Sequence, residues 1–341
     1  MHFPIPSPEL VSIVFYAAAC QTDFPSAETR EEIPARVRRM RDIVEQTILG
    51  YEPFFDVRLL AFPEFAHAVP AYPTVDELRR RLAVPVPNEH TDVYEALAKK
   101  YGCYIQTGSF LEYDSEFPDA VFNTTVLVGP AGILSKYRKV NPWIPWEVHA
   151  SPHDFADYPL DPFPVADTEL GRIAVATCYD WLFPETIREL AFRGAEIMVR
   201  ISAYMDPWGT AEPMNWWTLV NRTRALENSV YVVAANQGAA MSNYPPFSWP
   251  GGSMIVDYDG RVLAQADPGP GEKVVVAPVD VERLRQERSR RGGHDMLGHL
   301  RSELYSYLSS RHLEPAGDEP ISVENLRQRI AAAKKTLRGS S

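Results

Sequence analysis

Short apolar runs bounded by turn residues alternate with longer stretches of helical period, and the alternation occurs twice along the chain. The run at 11–20 reads as a buried first strand. Ile33, Val37, Met40, Ile43, Val44 and Ile48 then recur at helical spacing through 28–49, and Gly50 stands where a C-cap belongs. Strand patterns follow at 57–62, 104–112 and 122–128, with a helical stretch at 91–100 between the first two. Gly129-Pro130-Ala131-Gly132 turns the last of them into 133–137, a hairpin signal. After a segment rich in proline and aromatic residues, 140–170, the rhythm returns. Strands are expected at 173–177, 196–200 and 230–235, separated by helices at 184–193 and 214–227. A hairpin at 253–266 and a strand at 274–279 complete this half. Strands this apolar must be covered on both faces, which predicts an α/β architecture with two mixed sheets.

The remaining properties narrow the class of function. At 341 residues the chain is long enough for a large core, and its formal net charge of −11 disfavours phosphate backbones and anionic membrane surfaces. We therefore expect neither a nucleic-acid nor a membrane partner. Cys20, Cys103 and Cys178 form no CxxC pair and are too scattered for a disulfide framework. No Lys or Arg precedes Arg30, so the first apolar run lacks the basic flank of a secretion signal, and it is too short to span a bilayer. A cytoplasmic setting is the expectation. Beyond Asp280 strand character is lost. The basic run at 283–291 reads as a solvated helix face or tail, and 330–341 as a frayed end.

Four polar residues stand in places where chemistry is built. Cys178 follows the strand IAVAT and precedes a helix that begins at Pro184; a nucleophile at such a turn is exposed at the sheet edge near backbone N–H groups. A buried core thiol is the alternative. Glu64 closes the strand LLAFPE, where α/β proteins place their sites and where partial burial tunes a carboxylate toward a general base; a surface carboxylate is the alternative. Lys139 lies just past a strand, where a solvated charge is the ordinary reading. Glu147 sits eight residues on, in an aromatic stretch with no evident polar task. His149 and His153 are separated by Pro152, which removes the helix that would set both on one face, so no metal site is expected.

Taken together, FPEF at Glu64, KYRKVNPW at Lys139 and ATCYDWLFPE at Cys178 resemble the nitrilase superfamily of carbon–nitrogen hydrolases. RGAEIMVR, RALENSVYVVAAN and IVDYDGRVL add to the similarity. The resemblance implies a four-layer αββα sandwich over 11–285, with 286–341 as a partly helical C-terminal extension. It also implies a Glu64–Lys139–Cys178 triad, with Glu147 orienting Lys139 and the substrate, and no metal or organic cofactor. RKVNPWIPWE and MVRISAY are similar to the aliphatic amidase and formamidase branch, although Phe65 replaces that branch's usual Tyr. The expected reaction is hydrolysis of a neutral carboxamide through a thioester. Nitrile or N-carbamoyl hydrolysis by the same triad, and an inactive scaffold on the same fold, are the alternatives. Phe65, Trp143, Trp146, Tyr179, Trp181 and Tyr204 are expected around the substrate. The resemblance further implies a homo-oligomer. Met296, Leu297, Leu300, Leu304, Tyr307 and Leu308 form an apolar stripe at helical spacing that would need covering, on the neighbouring subunit if not on its own.

Overall fold

The computed structural model describes residues 14–23, 27–143, 147–205, 215–239, 249–309 and 313–337. In chain order the elements of the first half are β1 (Phe15–Asp23), α1 (Ile33–Tyr51), β2 (Val57–Ala61), α2 (Val75–Arg81), α3 (Glu89–Tyr101), β3 (Tyr104–Glu112), β4 (Phe122–Gly129) and β5 (Gly132–Arg138). The second half runs β6 (Val165–Thr168), β7 (Gly171–Thr177), α4 (Pro184–Phe192), β8 (Ile197–Ser202), α5 (Trp216–Asn228), β9 (Tyr231–Gly238), β10 (Met254–Val256), β11 (Val262–Gln265), β12 (Lys273–Val279), α6 (Val281–Arg290) and α7 (Val323–Leu337).

The strands form two six-stranded sheets, β12-β1-β2-β3-β4-β5 and β6-β7-β8-β9-β10-β11, each with three parallel strands at its heart and antiparallel strands outside. They join at one place, where Thr22 and Asp23 of β1 pair with Gln237 and Gly238 of β9. The period of two sorts each strand between layers. Ala17 and Ala19 of β1, with Leu59 and Ala61 of β2, belong to the core between the sheets. Ala18, Cys20, Leu60 and Phe62 pack with Val37, Met40 and Val44 of α1 and Tyr94 and Leu97 of α3. On the other side, Ile187 and Leu190 of α4 and Trp217 and Ala225 of α5 pack with the second sheet. This is the expected αββα sandwich.

Several local expectations are corrected. Gly50 does not cap the first helix, because α1 continues through Tyr51 and closes on Glu52, whose N–H donates to the Ile48 carbonyl. The helix starts at Ile33, after a 3-10 turn at Arg30–Glu32. The stripe at 296–308 is not an α-helix: 3-10 turns at Ser302–Leu304 and Ser306–Ser309 hold its second half and leave Leu304, Tyr307 and Leu308 exposed, while 310–312 lie outside the described residues. Of the end expected to fray, 330–337 is helical in α7, and 338–341 lie outside the described residues. Helix α6 runs across the boundary drawn after residue 285, with Val281 and Leu284 buried and Arg285 bonded to Glu196. The sequence reading missed α2 and β6, both short. Residues 11–13 of the first apolar run lie outside the described residues.

Candidate active site

Glu64, Lys139 and Cys178 stand just past the ends of β2, β5 and β7, so strands from both sheets deliver them to one region. Lys139 is fully buried, and its Nζ donates to Glu64 Oε1 at 2.8 Å and to both carboxylate oxygens of Glu147 at 2.8 Å. Glu64 is itself fixed at every oxygen. Oε1 also accepts from Asn123 Nδ2 at 2.8 Å, Oε2 from the Ala203 N–H at 2.9 Å, and the backbone carbonyl from Gln237 Nε2 at 2.9 Å. Burial alone would lower the Lys139 pKa, but Glu147 and then Glu64 override it and hold the ammonium above the usual lysine range. For Glu147 burial works upward and is outweighed by Lys139, then by His149, whose Nε2 lies 3.2 Å from Oε2; its carboxyl is held below the ordinary value.

Cys178 opens a 3-10 turn, Cys178–Leu182, in the left-handed region at φ 48°. Phe65, beside Glu64, is also left-handed at φ 56°. Such backbone in non-glycine residues stores about 1–3 kcal/mol and collects at functional sites. The Cys178 thiol is half-buried. Burial first, then the Glu64 carboxylate, push its pKa well above the cysteine range, and Lys139 pulls it partly back. The thiol therefore needs a base to take its proton. The turn is tied to the Lys139 segment by one carboxylate, Asp180. It accepts from the Thr177 N–H at 3.0 Å, Tyr137 Oη at 2.7 Å, the Asn141 N–H at 2.8 Å and Asn141 Nδ2 at 2.9 Å.

The expected aromatic surroundings are only partly aromatic walls. Phe65 is buried, edge-on to His149 at 6.5 Å. The Trp143 N–H donates to Glu147 Oε2. Tyr179 is edge-on to Phe183 at 5.1 Å, and both border a cavity of about 620 Å³ that is also lined by Glu147 and by Leu326 and Ile330 of α7. Tyr204 is buried against Trp217 at 5.8 Å, its N–H donating to Asn236 Oδ1 at 2.8 Å. Trp181 corrects the sequence reading. It is fully buried and its indole N–H donates to the Ala176 carbonyl at 2.9 Å, so it anchors the Cys178 turn and lines no mouth. Trp146 lies outside the described residues. Asn123, Asn236 and Gln237 were not anticipated. Asn236 and Gln237 end the apolar run YVVAA of β9, where a polar amide requires a buried partner, whereas Asn123 stands beside Thr124 and Thr125 and carried no such signal.

The carbon–nitrogen hydrolase family model matches residues 16–289. A formamidase of Bacillus cereus (strain Q1) is 30% identical over 297 residues, which cover 85% of this chain and 81% of that protein. Among solved structures, Saccharomyces cerevisiae Nit3, a member of branch 10 of the nitrilase superfamily, superposes with a TM-score of 0.67 at 24% identity, covering 84% of this chain and 97% of the other. A Nesterenkonia amidase of the nitrilase superfamily gives 0.62 at 19% identity, covering 86% and 97%. The site and fold described above are thus those of a chain that belongs to the carbon–nitrogen hydrolase family.

Proposed function

We propose that the protein is a cysteine-dependent amidase that converts a neutral carboxamide to a carboxylic acid and ammonia through a thioester, with Glu64, Lys139, Cys178 and Glu147 as its working groups. The observation that carries this reading is the Glu64–Lys139–Glu147 ladder of 2.8 Å hydrogen bonds, buried within electrostatic reach of a half-buried, left-handed cysteine. The similarity to a formamidase supports an amide substrate.

In this mechanism the Cys178 proton passes to Glu64 as sulfur attacks the amide carbon, and the Lys139 ammonium with the Tyr179 N–H stabilises the tetrahedral oxyanion. Glu64 then protonates the departing nitrogen, the C–N bond breaks, ammonia leaves and the thioester remains. A water gives its proton to Glu64 and attacks the thioester; the C–S bond breaks, the acid departs, and the proton returns to sulfur. Glu147 anchors Lys139 against the substrate amide. A neutral acyl group is favoured because no cation occurs from Tyr179 to Phe183. Arg222 donates to the Gly260 carbonyl, and Arg224 to the Trp181 carbonyl and Glu227, so both are committed elsewhere. A homo-oligomer in the cytoplasm completes the reading, supported by the exposed Phe192, Leu219, Leu304 and Leu308. No helix among the described residues is long and apolar enough to cross a membrane.

The test is ammonia release across aliphatic, aromatic, carbamoyl and nitrile substrates, with mass spectrometry of acid-quenched enzyme. Ammonia from a neutral amide and an acyl mass on the peptide containing Cys178 are expected. Release without any acyl adduct, or activity confined to nitriles, would overturn the proposal.

A further inference from the structure

Arg200 lies in the middle of β8, fully buried, and no ion pair involves it among the described residues. Its Nη1 donates to Asn221 Oδ1 at 2.9 Å, while Nε and Nη2 have no hydrogen-bond partner. Three aromatic rings enclose the guanidinium: Trp217 at 4.3 Å from ring centroid to Cζ, Tyr204 at 5.3 Å and Trp181 at 5.5 Å. Three cation–π contacts of about 0.5–2 kcal/mol each at best offset the several kcal/mol lost on burying an unpaired charge. Packing alone would be served better by an apolar side chain.

The placement of this charge points to the nucleophile. In the β7–β8 register Arg200 pairs with Ala176, two residues before Cys178, and Ser202 follows on the same face of β8. Trp181 belongs to the Cys178 turn, bonds the Ala176 carbonyl and lies over Arg200, so the cation and the turn form one unit. The groups facing Cys178 are Glu64, Lys139 and Glu147, whose formal charges sum to −1 when all are ionised. Those facing Arg200 are Cys178, Tyr204, Arg224 and Glu64. Asp180 is taken up by its four hydrogen bonds.

We propose that Arg200 is a positioning residue for the reaction: its buried charge offsets the excess negative charge of the Glu64–Lys139–Glu147 cluster and favours development of negative charge on the Cys178 sulfur. Burial pulls the guanidinium pKa down to about 10, which still leaves it charged at neutral pH. The proposal rests on Cys178 being the nucleophile but not on which amide is hydrolysed.

The experiment follows the rate of Cys178 alkylation by iodoacetamide against pH, alongside kcat and KM for a neutral amide, in wild type, Arg200→Gln and Arg200→Lys. The Gln variant retains a partner for Asn221 and removes the charge; the Lys variant retains the charge. Expected for Gln is an alkylation rate about tenfold lower at each pH from 7 to 9, with kcat about tenfold lower and KM little changed. The Lys rate is expected within about twofold of wild type. A Gln rate equal to wild type, or equally lowered Gln and Lys rates, would overturn the proposal. If Gln does not fold, the Lys rate decides, and a tenfold fall despite the retained charge refutes it. Alkylation requires no turnover, so a wrong substrate class leaves this readout intact. Should Gln instead raise KM for an N-carbamoyl amino acid with the alkylation profile unmoved, Arg200 is a carboxylate clamp and the electrostatic role is refuted.

Discussion

Lys139 is the residue whose removal the structure punishes most directly, because two carboxylates share one buried ammonium. Lys139→Met leaves Glu64 and Glu147 buried without their cation, and we expect a loss of about 3–5 kcal/mol in unfolding free energy at neutral pH. The pH dependence has a definite sign. The Glu147 pKa is lowered in the folded protein, so its contribution is present above the unfolded glutamate value of 4.5 and is lost as pH falls through the folded value. Wild-type thermal stability should therefore fall below about pH 4.5. In Lys139→Met the decline should vanish or reverse, since protonation then relieves repulsion; a melting series from pH 3 to 7 checks it. Chemistry at this scale is tested by Cys178→Ala, expected to lower kcat by at least about 10³-fold with a near-native melting temperature. Cys20→Ala and Cys103→Ala should keep activity, because both thiols are buried structural groups with pKa values raised to about 12 by desolvation. Glu64→Gln, nearly isosteric but unable to accept the proton, should lose about 10²–10⁴-fold in kcat.

Between elements, Asp180 is the joint. One carboxylate holds Thr177 at the end of β7, Tyr137 in β5 and Asn141 two residues beyond Lys139, and so sets the position of the Cys178 turn relative to the ammonium. Asp180→Ala strands the buried donors of Thr177 and Tyr137 and the half-buried donors of Asn141, each buried donor left unsatisfied costing about 1–3 kcal/mol. We expect a destabilisation of about 3 kcal/mol and a fall in kcat larger than any rise in KM. Urea unfolding with steady-state kinetics measures both, and unchanged kcat would show that the turn keeps its place without the clamp.

Across the whole molecule the two sheets repeat one plan. β1-α1-β2-α3-β3-β4-β5 and β7-α4-β8-α5-β9-β10-β11 each give three parallel strands followed by an antiparallel hairpin. The halves meet where β1 pairs with β9, and the carboxyl ends of parallel strands from both contribute to the site. A single chain leaves several large apolar side chains uncovered: Leu304 is 71% exposed, Leu308 52%, Phe192 56% and Leu219 56%. Light scattering at micromolar concentration is expected to show a dimer or larger. The paired change Leu304→Asp with Leu308→Asp should shift the population toward monomer while leaving α7 in place. A wild-type monomer would contradict the expected assembly.

The sequence by itself determined an α/β chain of two mixed sheets through its side-chain period, while the four layers and the Glu64–Lys139–Cys178 set came from the resemblance of FPEF, KYRKVNPW and ATCYDWLFPE to a known family. Side-chain period reports which face of a strand or helix is apolar, and Ala17 with Ala19 against Ala18 with Cys20 shows the two faces of β1 sorted accordingly. The motifs around Glu64, Lys139 and Cys178 end strands, and strand ends are where such a fold exposes polar groups. Only the tertiary structure decided which polar groups meet. Asn123 reaches Glu64 from 59 positions away and Ala203 from 139, separations that no local period encodes. It also decided that Trp181 turns inward over Arg200, and that the second half of the apolar stripe, 302–309, winds as two short 3-10 turns. Spacing marks the side chains available for contact; the surface they are set against is made by segments distant in the chain.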